Sequence, residues 1–137
     1  NSGEINLENF KMRLIFDTYS WVEYFSGTAM GEKVGVYLEN NEIFTPSIVL
    51  VELSCKATKE KWNFKYILEF IKMHSFITSL NEEIIILCGK IYVAMKKKNK
   101  NFSLPDAIIL TSAIKLNGKV LTGDEHFRDI REAILIK

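Results

Sequence analysis

The sequence predicts an α/β protein, a three-layer α/β/α sandwich with a central, mostly parallel sheet. Short apolar runs bounded by turn residues alternate along the chain with longer segments of helical periodicity. Segments of that length can cross over between parallel strands and cover both faces of the sheet. The chain has 137 residues, of which 47% are hydrophobic, and this suits one domain of that class.

Five short apolar runs are the predicted strands. The first ends at Asp17, and Asp124 lies just past the fourth. Ligand sites of parallel sheets lie at the carboxyl ends of the strands, so both residues are expected at the functional edge. The strands are predicted at Arg13–Phe16, Glu42–Thr45, Ser75–Ser79, Lys119–Thr122 and Ala133–Ile136.

The helical segments outweigh the strands. Thr45-Pro46 predicts the start of the third helix, with the threonine as N-cap and the proline at the first helical position. Asn117-Gly118 is a typical helix end and closes the sixth. Helices are predicted at Tyr19–Phe25, Glu32–Glu39, Ser47–Glu60, Trp62–His74, Asn81–Lys97 and Ser103–Leu116, with a helical turn at Asp124–Asp129.

Composition and patterning limit the class of protein. Residues 1–11 are polar and aperiodic and precede Met12, so we expect a tag remnant or flexible arm followed by a single domain at residues 12–137. Basic and acidic residues nearly balance, at 18 and 17, so no overall field indicates a nucleic-acid partner. No apolar run approaches the roughly 18 residues of a membrane span, and we expect no membrane partner.

The two cysteines indicate a reducing compartment. Cys55 and Cys88 each lie in an apolar helical run without the spacing of a metal-binding motif. We interpret both as small core residues. Because no secretory signal pattern opens the chain either, we expect a cytoplasmic protein.

Four carboxylates carry the functional interpretation. If they converge at one sheet edge, their mutual repulsion requires a cation or protonation. Oxygen ligands alone suit Mg²⁺ or Mn²⁺, which activate water and bind phosphate oxygens in nucleases. The four residues are Asp17, Glu52, Asp106 and Asp124.

Taken singly, three of these acids have a structural explanation. Asp17 can be the N-cap of the first helix. Asp106 can form a capping box with Ser103, and Asp124 can be a turn residue beside Gly123. Each of these roles is the better interpretation for the isolated residue.

Glu52 differs because it lies in the middle of a predicted helix. Its helical neighbours Ile48, Val51 and Cys55 are all apolar. A carboxylate on a face meant for burial costs several kcal/mol unless it is paired or bound to a cation. For this residue we favour a functional role over a structural one.

Four motifs in order carry a family resemblance from Met12 to the end of the chain. They are Leu14–Thr18 (LIFDT), Pro46–Leu53 (PSIVLVEL), Leu104–Ile109 (LPDAII) and Val120–Phe127 (VLTGDEHF). Together they resemble the PIN-domain family, and within it the VapC-type toxin ribonucleases of toxin–antitoxin pairs. Each motif alone is short, but the set in this order is specific.

The resemblance implies an α/β/α sandwich with Mg²⁺- or Mn²⁺-dependent endoribonuclease activity on RNA. It also implies a homodimer that is inhibited by a cognate antitoxin protein. By the same resemblance Asp17, Glu52, Asp106 and Asp124 are the catalytic and metal-binding acids, and Thr122 helps to orient the last of them. Tyr19 departs from the family, which commonly has a small Ser or Asn there, and this bears on substrate preference.

Two alternatives from other classes stay open. One is a catalytically silent PIN module that binds RNA or a protein partner. The other is a receiver-type signalling domain in which an acid such as Asp17 is phosphorylated. The receiver would require a lysine at a late strand end, where the chain has Thr122-Gly123-Asp124 instead.

Residues near the motifs receive structural interpretations. His74 lies on an apolar stripe and is interpreted as a core histidine, whereas His126 is interpreted as a surface residue. The basic run Lys96–Lys100 is interpreted as a solvated helix end whose charge suits the helix dipole. The alternative for this run is contact with an RNA backbone.

Overall fold

The protein is described here by a computed structural model that covers residues 11–137. The predicted tag remnant or arm at residues 1–11 lies, apart from Lys11, outside the described residues and stays a prediction. Within the described part, the elements run in the order β1 (Arg13–Phe16), α1 (Thr18–Ser26), α2 (Ala29–Asn40), β2 (Glu42–Pro46), α3 (Ser47–Glu60), α4 (Phe64–His74), β3 (Phe76–Thr78), α5 (Glu82–Lys98), α6 (Leu104–Leu116), β4 (Lys119–Thr122), a 3₁₀ turn (Glu125–Phe127) and β5 (Ala133–Leu135).

The strands form one sheet in the order β3-β2-β1-β4-β5, and every pair is parallel. The predicted α/β/α sandwich with a central parallel sheet is therefore confirmed. Strand β1 is central, with Ile15 opposite Phe44 of β2 and Phe16 opposite Leu121 of β4. The buried side chains Leu14 and Phe16 belong to the core that the helices cover.

The start of α3 differs from the prediction. Thr45 is the fourth residue of β2 rather than an N-cap, and Pro46 precedes the helix without a side-chain cap. The Thr45 hydroxyl instead accepts a hydrogen bond from Nε1 of the buried Trp21 at 3.1 Å. It also shares a 2.8 Å hydrogen bond with the Ser75 hydroxyl, so this threonine ties α1 and β2 together.

Two other helices begin at caps that the apolar periodicity does not reveal. Helix α2 begins at Ala29, earlier than the predicted Glu32, because the Thr28 side chain accepts from the Gly31 backbone. Helix α4 begins at Phe64, later than predicted, because Asn63 caps it. Short polar side chains at these positions satisfy backbone N–H groups of the first turn.

Helices α1 and α2 approach each other closely at Gly31. A Cβ atom on this residue would lie 2.0 Å from the Glu23 carbonyl oxygen and 3.1 Å from the Tyr24 Cα. Both neighbours are backbone atoms, so a side chain at this position requires the helices to separate. The contact holds α1 in position, and the N-cap of α1 is Asp17.

Three residues were assigned to the core from the sequence, and two of the assignments are wrong. Cys88 is buried as predicted, but Cys55 is exposed. His74 is exposed as well, and its ring lies 4.2 Å from the Phe70 ring. Both exposed residues lie on helices whose apolar stripe is narrower than the sequence suggests.

Candidate metal and active site

Asp17 lies beside Thr122 because β1 and β4 are neighbouring strands. Phe16 pairs with Leu121, and the next residues along the two parallel strands are Asp17 and Thr122. Asp17 is only 5% exposed, and its Oδ1 accepts from the Ser20 backbone N–H at 2.9 Å. Its predicted N-cap role is thus confirmed. The role leaves the carboxylate at the carboxyl edge of the sheet.

Thr122 links two of the acids. Its hydroxyl accepts a hydrogen bond from the Asp124 backbone N–H at 2.9 Å, and its side chain is also close enough to Asp17 to lower the pKa of that carboxyl group. The side chain is fully buried, so this geometry is held by its surroundings. Nearby, the Ser20 hydroxyl donates to the Leu121 carbonyl at 2.6 Å and joins α1 to β4.

Burial raises the pKa of Asp17 from an ordinary value of 3.8 to about 6. In that net value the negative charge of Asp124 acts in the same direction as burial, whereas hydrogen bonding with Thr122 and Ser20 acts to lower the pKa. The net effect is a carboxylate whose charge is only partly compensated by the protein. A cation beside it would supply the missing compensation.

Asp106 enters the site from the N-terminus of α6. Its Oδ2 accepts from the Ser103 backbone N–H at 2.9 Å, and its own N–H donates to the Ser103 hydroxyl at 3.1 Å. The predicted capping box is therefore confirmed. The same Oδ2 lies 2.9 Å from Nδ1 of His126, so the cap also brings this carboxylate to the loop after β4.

His126 is the residue that sequence reasoning missed. Its side chain is 33% exposed, as a surface residue can be, but its Nδ1 also lies 3.4 Å from Oδ1 of Asp124, a contact that the sequence did not predict. Asp124 caps the 3₁₀ turn and accepts from the His126 N–H at 2.9 Å, while the buried Phe127 contacts Phe102. The available signal was the Asp-x-His spacing behind a strand end.

Ligand atoms of Asp106, Asp124 and His126 all lie within 4.8 Å of one another. These three side chains come from the start of α6 and from the loop after β4. Two ligands at right angles on a metal with bonds near 2.1 Å are about 3 Å apart. The separations of 2.9 and 3.4 Å from Nδ1 to the two carboxylates match that spacing, so the donors fit a divalent ion.

Glu52 stands at the edge of this arrangement. It accepts a hydrogen bond from the Thr18 hydroxyl at 2.5 Å and thereby joins α3 to the residue that follows Asp17. The prediction that it lies on a buried apolar face is wrong, because Val51 is 57% exposed and Cys55 is also exposed. Glu52 is half-buried and is supported by a polar partner.

Tyr19 lies against the loop between Thr122 and Asp124. A Cβ atom on Gly123 would fall 2.3 Å from both Cε1 and Cζ of the Tyr19 ring, so a side chain at this position would require the phenol to move. The phenol therefore covers the backbone at Gly123. This glycine lies between Thr122, which is beside Asp17, and Asp124, which contacts His126. The large residue at this position is accommodated by the glycine opposite it.

The chain belongs to the PIN domain family: the model of that family matches residues 14–133. The search of curated proteins found no match.

Solved structures of similar fold come from several bacterial systems. The chain aligns with one from "Crystal structure of VapBC2 from Rickettsia felis bound to a DNA fragment from their promoter" with a TM-score of 0.71 and 22% identity, covering 90% of this chain and 97% of that one. A chain of a toxin–antitoxin complex from Klebsiella pneumoniae aligns with a TM-score of 0.68 and 22% identity, covering 88% of this chain and 95% of that one. Mycobacterium tuberculosis VapC20, described as a "Sarcin-Ricin loop cleaving toxin", aligns with a TM-score of 0.67 and 11% identity, covering 90% of this chain and 99% of that one. At these identities the likeness shows the fold.

The structure also bears on a membrane location. Among residues 11–137, no helix is both long enough and apolar enough to cross a membrane.

Proposed function

We propose that the protein is a Mg²⁺- or Mn²⁺-dependent endoribonuclease and the toxin of a toxin–antitoxin pair. The observation that carries the proposal is the convergence of acidic side chains from different elements at the carboxyl edge of a PIN-family sheet. Asp17 and Asp124 are joined through Thr122, and Asp124 shares a cluster of ligand atoms with Asp106. No single structural role requires all of these carboxylates in one place.

The four acids are proposed to hold the divalent ion, which supplies a polarised water and positive charge beside a phosphodiester. Asp17, Asp106 and Asp124 provide oxygen donors of the hard type that such ions prefer. Glu52 lies on α3 and is joined to the residue after Asp17 through the Thr18 hydroxyl. The protein thereby supplies a preorganised acidic edge at which a phosphate can be bound only together with a cation.

RNA is the proposed substrate, and its backbone would be met by the basic end of α5. Lys96, Lys97 and Lys98 occupy the last turn of that helix, and the chain then leads directly to the start of α6. Their charge suits the helix dipole, as expected for a solvated end. It is also available to neutralise phosphates, which gives RNA affinity without sequence preference. A cytoplasmic location is part of this proposal.

The proposed partners are a cognate antitoxin and a second copy of the chain. Support comes from solved structures of similar fold that are toxin–antitoxin or VapBC complexes. On this chain, apolar side chains of the edge strand β3 and of α5 are exposed, which is typical of surfaces that bind protein. They include Phe76 at 60%, Ile85 at 58%, Ile86 at 59% and Val93 at 56% exposure.

The test is RNA cleavage by the purified protein with Mg²⁺ or Mn²⁺ on a mixture of single-stranded and structured RNAs. We expect cleavage that EDTA abolishes and that Asp124→Asn reduces by about a thousandfold or more. Asp129→Asn is the matched control, since Asp129 is exposed and is the one aspartate outside the proposed set. This control should cut at the wild-type rate.

Two results would contradict the proposal. Cleavage that persists in EDTA would show that the activity does not require a metal ion held by the carboxylates. Binding of RNA without cleavage of any substrate would favour the silent module. In that case Tyr19→Ser would show whether the phenol against Gly123 suppresses an otherwise complete site.

A further inference from the structure

We propose that His126 is a nitrogen ligand of the metal site and makes the site selective for Mn²⁺ over Mg²⁺. The inference rests on the proposed function, because it concerns the ion that the acids are proposed to hold. It adds a residue and a metal preference that the acidic set alone does not contain.

Geometry is the first support. Nδ1 of His126 lies 2.9 Å from Oδ2 of Asp106 and 3.4 Å from Oδ1 of Asp124. These three side chains contribute the ligand atoms that lie within 4.8 Å of one another. An ion that binds both carboxylates at ordinary distances would therefore lie within bonding reach of Nδ1.

The second support is how firmly the imidazole is held. His126 is the middle residue of the 3₁₀ turn, whose cap is Asp124 and whose last residue, Phe127, is 1% exposed. The neighbouring Glu125 is turned to other partners: its carboxylate binds Arg128 and Lys137 at 2.5–2.8 Å. The turn therefore presents the imidazole, and not the adjacent carboxylate, to Asp106.

Ligand chemistry turns this geometry into a preference. Mg²⁺ takes oxygen ligands almost exclusively and keeps most of its water, whereas first-row transition ions also accept imidazole nitrogen. An imidazole added to the carboxylates of the site should therefore increase the affinity for Mn²⁺ but change the affinity for Mg²⁺ little. A purely oxygen-lined site would lack this additional preference for Mn²⁺.

The alternative role for His126 is to position Asp106. In the tautomer with the proton on Nδ1, the imidazole donates a hydrogen bond to the carboxylate and the metal is bound by oxygens alone. Removal of the imidazole would then lower the affinities for Mn²⁺ and Mg²⁺ to a similar degree. The two roles therefore differ in metal preference and in whether nitrogen touches the metal.

The experiment uses the full chain stripped of metal. Mn²⁺ and Mg²⁺ affinities are measured by calorimetry for the wild type, His126→Phe and His74→Phe, and pulsed electron paramagnetic resonance of the Mn²⁺-bound proteins detects coupled ¹⁴N. His126→Phe keeps a ring of similar shape without nitrogen. His74→Phe removes the chain's one other histidine, which is exposed and lies on α4.

We expect the wild type to show imidazole ¹⁴N coupling and to bind Mn²⁺ at least about tenfold more tightly than His126→Phe does, with Mg²⁺ affinity changed by less than about twofold. His74→Phe should match the wild type in all three measurements. Mn²⁺ binding without ¹⁴N coupling, or equal weakening of both ions in His126→Phe, overturns the ligand role. Absence of any saturable metal binding in the wild type instead overturns the proposed function itself. Circular dichroism confirms that each variant is folded.

Discussion

Asp17→Asn should reduce RNA cleavage by about a thousandfold or more while making the metal-free protein more stable at pH 7. The substitution removes a negative charge from the proposed metal site, which accounts for the lost activity. It keeps the oxygen that accepts from the Ser20 N–H, so the cap of α1 survives. Opposite effects on activity and stability are the signature of an acid held for function.

The stability gain follows from the pKa of Asp17. Its value is about 6 in the folded protein, against 3.8 for the ordinary side chain, so the folded state binds this proton more tightly than the unfolded state does. The stabilising contribution is therefore complete below about pH 4 and is lost as the pH rises through 6. Two pKa units correspond to about 3 kcal/mol, which is the largest gain expected for Asp17→Asn at pH 7.

Urea unfolding of the metal-free wild type and Asp17→Asn at pH 4, 5, 6 and 7 measures this difference. The free energies of unfolding should be nearly equal at pH 4 and diverge in favour of the variant by pH 7. Asp129→Asn, at an exposed position, should follow the wild type at every pH. A variant that is less stable than the wild type at pH 7 would contradict the assigned burial and charge of Asp17.

Gly31→Ala should destabilise the fold by about 3 kcal/mol, which for a chain of this size lowers Tm by about 10 °C. The added Cβ would lie 2.0 Å from the Glu23 carbonyl oxygen, and this backbone atom cannot rotate away as a side chain can. Helices α1 and α2 must therefore separate. Because α1 carries Ser20 and the Asp17 cap, cleavage should fall along with stability.

Gly89→Ala is the matched control for this substitution. Gly89 lies in the middle of α5, and a Cβ atom there would meet nothing within 4 Å. Alanine is the better helix former by up to about 1 kcal/mol, so this variant should be as stable as the wild type or more so. Thermal unfolding measures the Tm of Gly31→Ala and of Gly89→Ala. Equal Tm values for the two variants would contradict the close approach of α1 and α2.

The sheet could be predicted because its strands are short apolar runs with turn residues at their ends. The run Arg13–Phe16, for example, is followed by an aspartate that caps the next helix, and the structure keeps those bounds. The first residues of the helices were harder to predict from the sequence. Thr28 and Asn63 precede first turns that carry little apolar periodicity, and the Thr45 hydroxyl is used by Trp21, a partner 24 residues away in sequence.

The acids at the sheet edge could be named because strand ends and helix starts are visible in the sequence. The distances between these acids could not be predicted, since they depend on which strands are neighbours in the sheet. His126 shows the limit most clearly: its carboxylate partner Asp106 lies 20 residues earlier, at the start of another helix. The environment of Glu52 was likewise misjudged, because the exposure of Val51 depends on which face of α3 the rest of the chain covers.

We propose that these carboxylates hold a divalent ion at the carboxyl edge of the sheet. The most direct measurement is an anomalous difference map from crystals of the metal-free protein soaked in Mn²⁺. We expect a strong peak bounded by Asp17, Asp106 and Asp124, which should be absent from Asp17→Asn crystals treated in the same way. A saturating soak that leaves this edge without a peak would contradict metal binding by these carboxylates.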